Sequence, residues 1–202
     1  MNRPIVFLAI LTLFCSTGKT QAAFIVNGGF ETGDFTGWTV NAGATGVSGN
    51  FDGFLPHTGN FFAFLGHVGT PIGSLSQTIT TTTAGDSYTL SMYLGSDGAT
   101  PNQFVVAWNG TTLYDQSNLP NTRSNPSQYN LLSFTVVGTG NDVLTLRERN
   151  DPAYLALDDV SLVRAPTNAV PEPTSMALLA MGGLGMAGIR FIRRRATAVV
   201  AN

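Results

Sequence analysis

Apolar and polar residues alternate with period two through most of residues 75–163, and no stretch of useful length carries the helical period. Leu75, Gln77 and Ile79 alternate with Ser and Thr. Beyond the turn Ala84-Gly85-Asp86, Tyr88, Leu90, Met92 and Leu94 share one face of the next run. Phe104, Val106 and Trp108 share another, and Asn109-Gly110 then separates that run from residues 111–114, a strong short-range hairpin signal. Leu132, Phe134 and Val136, then Leu144 and Leu146, then residues 156–163 continue the pattern. A strand with one buried and one wet face needs this alternation, and short strands between turn residues predict an antiparallel β-sandwich over residues 23–164.

The two ends of the chain read as signals rather than fold. Arg3 followed by an apolar stretch over residues 5–14 has the order of a secretory signal peptide, residues 1–22. The small-residue rule favours cleavage after Ala22, with Thr20 at the −3 position; cleavage after Ala23 would put Gln21 there. The single cysteine, Cys15, lies inside this stretch, and Phe14 occupies the place where a lipoprotein signal wants a small residue. The mature protein would then have no thiol and no disulfide, so burial, or a bound metal, must hold it together. About 140 residues remain between the signals, enough for one core. Charged residues make up only 11% of the chain and the net charge is −2, which excludes a basic nucleic-acid surface.

Residues 165–169 form a polar linker to a tail at 170–195, VPEPTSMALLAMGGLGMAGIRFIRRR. Pro171 and Pro173 fix φ and disfavour helix at the residue before them, so the Pro171-Glu172-Pro173 triplet is a stiff extended segment. Thr174 and Ser175 can cap a helix over about 176–192, which at ~1.5 Å rise per residue spans ~25 Å, just enough for hydrocarbon. Arg193, Arg194 and Arg195 then hold the far end, and residues 196–202, in the cytoplasm. Triplet, apolar run and basic cluster in this order resemble the PEP-CTERM sorting tail of bacterial envelope proteins. The resemblance implies a membrane enzyme, exosortase, as partner. It assigns Pro171, Glu172 and Pro173 to recognition and Arg193 to Arg195 to the stop signal. It also implies insertion in the inner membrane before release or attachment at the cell surface.

Three internal segments carry a second resemblance: NGGFETGDFTGW (27–38), HTGNFFAFLG (57–66) and LALDDVSL (155–162). Together they are similar to the landmark pieces of galactose-binding-like jelly rolls, the fold of many carbohydrate-binding modules. Modules of this kind often hold a structural calcium between the first and last strands. The matching positions are Glu31 and Asp158, with carbonyls of the loop around Thr58 to Asn60 as further ligands. Calcium takes six to eight oxygens at about 2.3–2.6 Å, a set that carboxylates and loop carbonyls supply. Asp159 is expected to point away, since adjacent strand residues face opposite sides.

Sugars are gripped by aromatic rings with polar neighbours. Trp38 and Trp108 read as core, while Tyr93, Tyr114, Tyr129 and Tyr154 are candidates for an exposed face or rim; their spacing assembles no sugar site. Catalysis has little support. His57 and His67 fit no zinc spacing, no Gly-x-Ser-x-Gly elbow occurs, and Asp142, Glu148 and Asp151 are the carboxylates a glycosidase would have to pair. The chain is therefore expected to be an exported, non-enzymatic envelope or extracellular matrix protein that binds exopolysaccharide. The alternatives are a structural or adhesive matrix protein without specific sugar binding, and a polysaccharide hydrolase.

Overall fold

The computed structural model describes residues 24–41, 45–70, 72–125, 127–151 and 153–166. Among the described residues ten antiparallel strands form two five-stranded sheets. The first sheet has the order β1 (Thr39–Asn41), β4 (Gly73–Ile79), β9 (Asp142–Asn150), β6 (Asn102–Trp108), β7 (Thr111–Ser117). The second has the order β2 (Gly46–Ser48), β3 (Phe62–Leu65), β10 (Leu155–Arg164), β5 (Ser87–Ser96), β8 (Asn130–Val137). This is the antiparallel two-sheet sandwich expected, with no helix among the described residues. The helix expected over about 176–192, and the residues Ala22, Ala23, Pro171, Glu172, Pro173, Arg193, Arg194 and Arg195, lie outside the described residues.

The alternating positions are the inner faces. Leu75, Ile79, Tyr88, Leu90, Met92, Phe104, Val106, Leu144, Leu146, Leu157 and Leu162 meet in one buried cluster, each of the larger ones worth ~1.5–3 kcal/mol of transfer free energy. Trp38 and Trp108 belong to it, as expected, and the Trp108 indole donates to Val137 O at 3.0 Å. The Asn109-Gly110 hairpin joins β6 to β7 with φ of 51° and 79°, the left-handed pair that such a turn requires. The alternation fails in β6, where Val105 and Ala107 are buried as well as their neighbours.

Strand β10 lies at the centre of the second sheet, paired with β3 and β5, and its register with β5 slips between Asp158 and Ser161. A β-bulge of this sort spends an extra residue on one strand and re-aims the side chains around it. Asp159 sits at the bulge with φ of 50°. The chain ahead of β1 crosses at the same level, where Val160 N donates to Gly28 O at 2.9 Å. A Cβ on Gly28 would lie 1.9 Å from Val160 O, so only glycine permits this approach.

Candidate functional site

The segment 27–38 folds into a compact turn anchored by Phe30. That ring is fully buried, stacked 5.9 Å from Trp38 and edge-on to Phe35 at 5.8 Å. The Asn27 side chain ties the turn together by donating to Asp34 O and Thr36 O and accepting from Thr32 N. With Phe30 pinned inward, Glu31 is exposed and meets the loop ahead of β3. Its carboxylate accepts from Asn60 N at 2.9 Å and Phe61 N at 3.0 Å. The Asn60 amide, foremost among these contacts, holds Glu31 below the usual carboxylate range. Gly59 takes φ of 67° there, and a Cβ on it would sit 2.2 Å from Glu31 Oε1.

Asp158 and Asp159 reach the same loop. Asp158 is fully buried and accepts from His57 N at 2.8 Å, Thr58 N at 3.3 Å and Asp159 N at 2.7 Å. Burial, reinforced by the neighbouring Asp159 charge, pushes its carboxyl up to about 7. Asp159 accepts from Thr58 Oγ1 at 2.7 Å and pairs with His57 Nδ1 at 2.7 Å. The expectation that Asp159 points away is corrected here: the bulge breaks the alternation and brings both aspartates to one place. A Cβ on Gly29 would lie 3.5 Å from Asp159 Oδ1 and 3.8 Å from Asp158 Oδ1, whereas the Glu31 carboxylate lies against Gly59.

Three acids with His57 as the nearest base suit a hard cation in charge and in ligand type. The fit is incomplete in this arrangement. The loop turns the amides of His57, Thr58, Asn60 and Phe61 toward the carboxylates, whereas Asn60 O lies 2.9 Å from the Cβ position of Gly49. Among the described residues no three His, Cys, Asp or Glu side chains stand close enough to hold one ion.

Of the other acids considered for catalysis, Asp142 stands apart. Asp142 begins β9 and accepts from Thr82, Thr139 and Asn109, while Glu148 lies near the strand's other end, roughly 20 Å away at ~3.3 Å per residue. Glu148 is fully buried, which raises its pKa, and accepts from His67 N at 3.0 Å. Asp151 forms an ion pair with Arg149, whose side-chain hydrogen bonds hold the carboxyl down at about 2.

The outward face of the second sheet carries a second aromatic cluster. Phe51 stacks on Phe64 at 3.9 Å, and Tyr154 meets both edge-on at 4.7 and 5.6 Å. All three rings are half-buried. His57 stacks on Tyr93 at 3.6 Å. Of the tyrosines expected at a rim, Tyr93, Tyr114 and Tyr154 are half-buried, but Tyr129 is buried at 4% exposure with its hydroxyl donating to Leu55 O. Phe51 and Phe64 escaped the sequence reading. The available signal was Asp52-Gly53 between two phenylalanines: φ values of 48° and 77° close a hairpin turn that bridges Phe51 to Phe54.

Comparison with known proteins bears on both parts of the chain. Residues 169–195 match the PEP-CTERM protein-sorting motif. No curated relative matches the sequence. Among solved structures, a family 61 carbohydrate-binding module, TmCBM61 in complex with β-1,4-galactotriose, superposes with a TM-score of 0.56 at 18% identity, over 72% of this chain and 100% of that one. The CBM22-1-GH10 modules of Clostridium thermocellum xylanase 10B, complexed with xylohexaose, give a TM-score of 0.51 at 14% identity, over 73% of this chain and 29% of that one. At these identities the likeness establishes the fold. The chain carries a PEP-CTERM protein-sorting motif in its C-terminal region, behind an antiparallel sandwich whose structural relatives include carbohydrate-binding module jelly rolls.

Proposed function

We propose that the protein is a non-catalytic envelope or extracellular matrix component, exported, anchored briefly in the inner membrane and sorted by exosortase, which recognises Pro171-Glu172-Pro173, and that its domain binds exopolysaccharide. The observation that carries the sugar-binding part is the half-buried trio Phe51, Phe64 and Tyr154 on an outward sheet face. Apolar C–H faces of a pyranose pack on such rings while hydroxyls find polar neighbours. The likeness to modules crystallised with oligosaccharides is consistent with it. Affinity electrophoresis in gels containing the host's exopolysaccharide tests it: the wild type is retarded, and the double variant Phe51→Ala, Tyr154→Ala runs free. Retardation unchanged by that variant moves the site elsewhere. No retardation at all favours the structural or adhesive reading.

That Glu31 and Asp158 both bind the 57–61 loop also supports a structural calcium. A divalent ion would offset the repulsion that Asp159 exerts on buried Asp158 and would tie the start of the domain to its last strand. The carbonyls of the 58–60 loop would have to turn inward to complete the ligand set. Thermal unfolding of the protein in chelator and in excess calcium decides this: equal midpoints refute the ion.

A further inference from the structure

Each sheet of a sandwich leaves two edges with unpaired backbone groups, and folded proteins blunt such edges with short strands, charges, prolines or bulges. Strands β1 and β2 are three residues long. Strand β7 carries Asp115. Strand β8 is different: eight residues, NLLSFTVV, with no charge, proline or glycine. Its inward Leu132 and Phe134, like Leu113 and Tyr114 of β7, are only partly buried against the core.

The order of residues along β8 is itself informative. About Phe134 the strand reads alike in both directions: Ser133 and Thr135, then Leu132 and Val136, then Leu131 and Val137. An antiparallel pair related by a twofold axis normal to the sheet places residues equidistant from the axis opposite one another, on the same face. With the axis at Phe134, hydroxyl meets hydroxyl and apolar meets apolar at every position. On the outer face, Leu131 and Val137, exposed at 55% and 53%, would cover each other. On the inner face, Phe134 would meet its own copy and Leu132 would meet Val136. A shift of two residues instead sets Leu131 opposite Thr135, and a shift of one turns outer against inner residues.

We propose that β8 is a self-pairing interface, at which two copies of this protein join edge to edge, in register about Phe134, into one continuous sheet. Directly opposite residues have Cβ atoms ~4.5–5.5 Å apart and diagonal neighbours ~7–8 Å, so the register can be read by cross-linking.

The test uses full-length chains in a Cys15→Ser background, so that an introduced thiol is the only one. Differently tagged chains bearing Ser133→Cys and Thr135→Cys are co-expressed and treated with a mild oxidant in intact cells. The expected result is a mixed disulfide dimer several-fold more abundant than either self-linked dimer. Placing Leu131→Lys and Val137→Lys in both chains sets like charges opposite each other and abolishes the link; both side chains are exposed, and thermal unfolding verifies that the fold survives. The proposal is overturned if mixed and self-linked dimers form equally, or if Thr112→Cys with Asp115→Cys on β7 links as well. Survival of the cross-link in the lysine variants also overturns it.

Discussion

Raising the pH from about 5 to about 8 ionises Asp158 inside the folded domain, and the cost of that charge sets a measurable slope in stability. The carboxyl is fully buried, beside Asp159, and titrates at about 7 in the folded protein against a reference of 3.8. A raised acid binds its proton more tightly when folded, so stability falls as pH climbs from the unfolded value through the folded one. The whole span of about three pH units amounts to ~4 kcal/mol at ~1.36 kcal/mol per unit. Between about pH 5 and about pH 8 roughly two units apply, ~3 kcal/mol, or a fall of ~10 °C in the midpoint for a domain of this size. Thermal unfolding in chelator at both pH values, for wild type and Asp158→Asn, measures it. The variant is expected to be less stable than wild type at the lower pH, because an NH2 with two hydrogens replaces one oxygen of a carboxyl whose two oxygens face the amides of His57, Thr58 and Asp159, a loss of ~1–3 kcal/mol. Its pH slope, however, should be flatter by ~3 kcal/mol. Parallel slopes in the two proteins would refute the reasoning, since they would mean that Asp158 does not change its ionisation in the folded state over this range.

Gly28→Ala should destabilise the domain by about 3 kcal/mol or leave it insoluble, because the new methyl meets Val160 O; urea unfolding checks this. Gly69→Ala meets nothing within 4 Å and pays only for its φ of 80°, an expected loss of ~1 kcal/mol in the same assay. Trp108→Ala empties a buried site and leaves Val137 O without its indole donor, for an expected loss of ~3–5 kcal/mol by the same measurement. Glu31→Gln should leave the core intact but raise amide hydrogen exchange at Asn60 and Phe61, whose donors it anchors; unchanged protection there would contradict the assigned contacts.

Period-two alternation is a property of each strand alone, so the inner faces of β4, β5, β6, β8 and β9 could be read without knowing their neighbours. The Asn109-Gly110 hairpin and the C-terminal sorting motif were legible for the same reason: each is written in contiguous residues whose backbone preferences, hydropathy and charge act locally. The resemblance of three short segments to jelly-roll landmarks also pointed to Glu31 and Asp158, which the fold brings to one loop.

Pairing of β9 with β4 and β6, and of β10 with β3 and β5, was beyond reach, because the same alternation suits any partner and the choice is made by long-range burial. Asp159 escaped for a related reason: one extra residue in a bulge reverses the faces that alternation assigns, and only the register of β10 on β5 reveals it. Tyr129 looked like a rim residue until the loop that carries it folded over Phe54 and Leu55. The trio of Phe51, Phe64 and Tyr154 unites residues far apart in the chain. Local chemistry thus determined the kind of domain, its inner faces and its address. Contacts between distant segments decided which acids share a loop, which rings share a surface and which edge is left open.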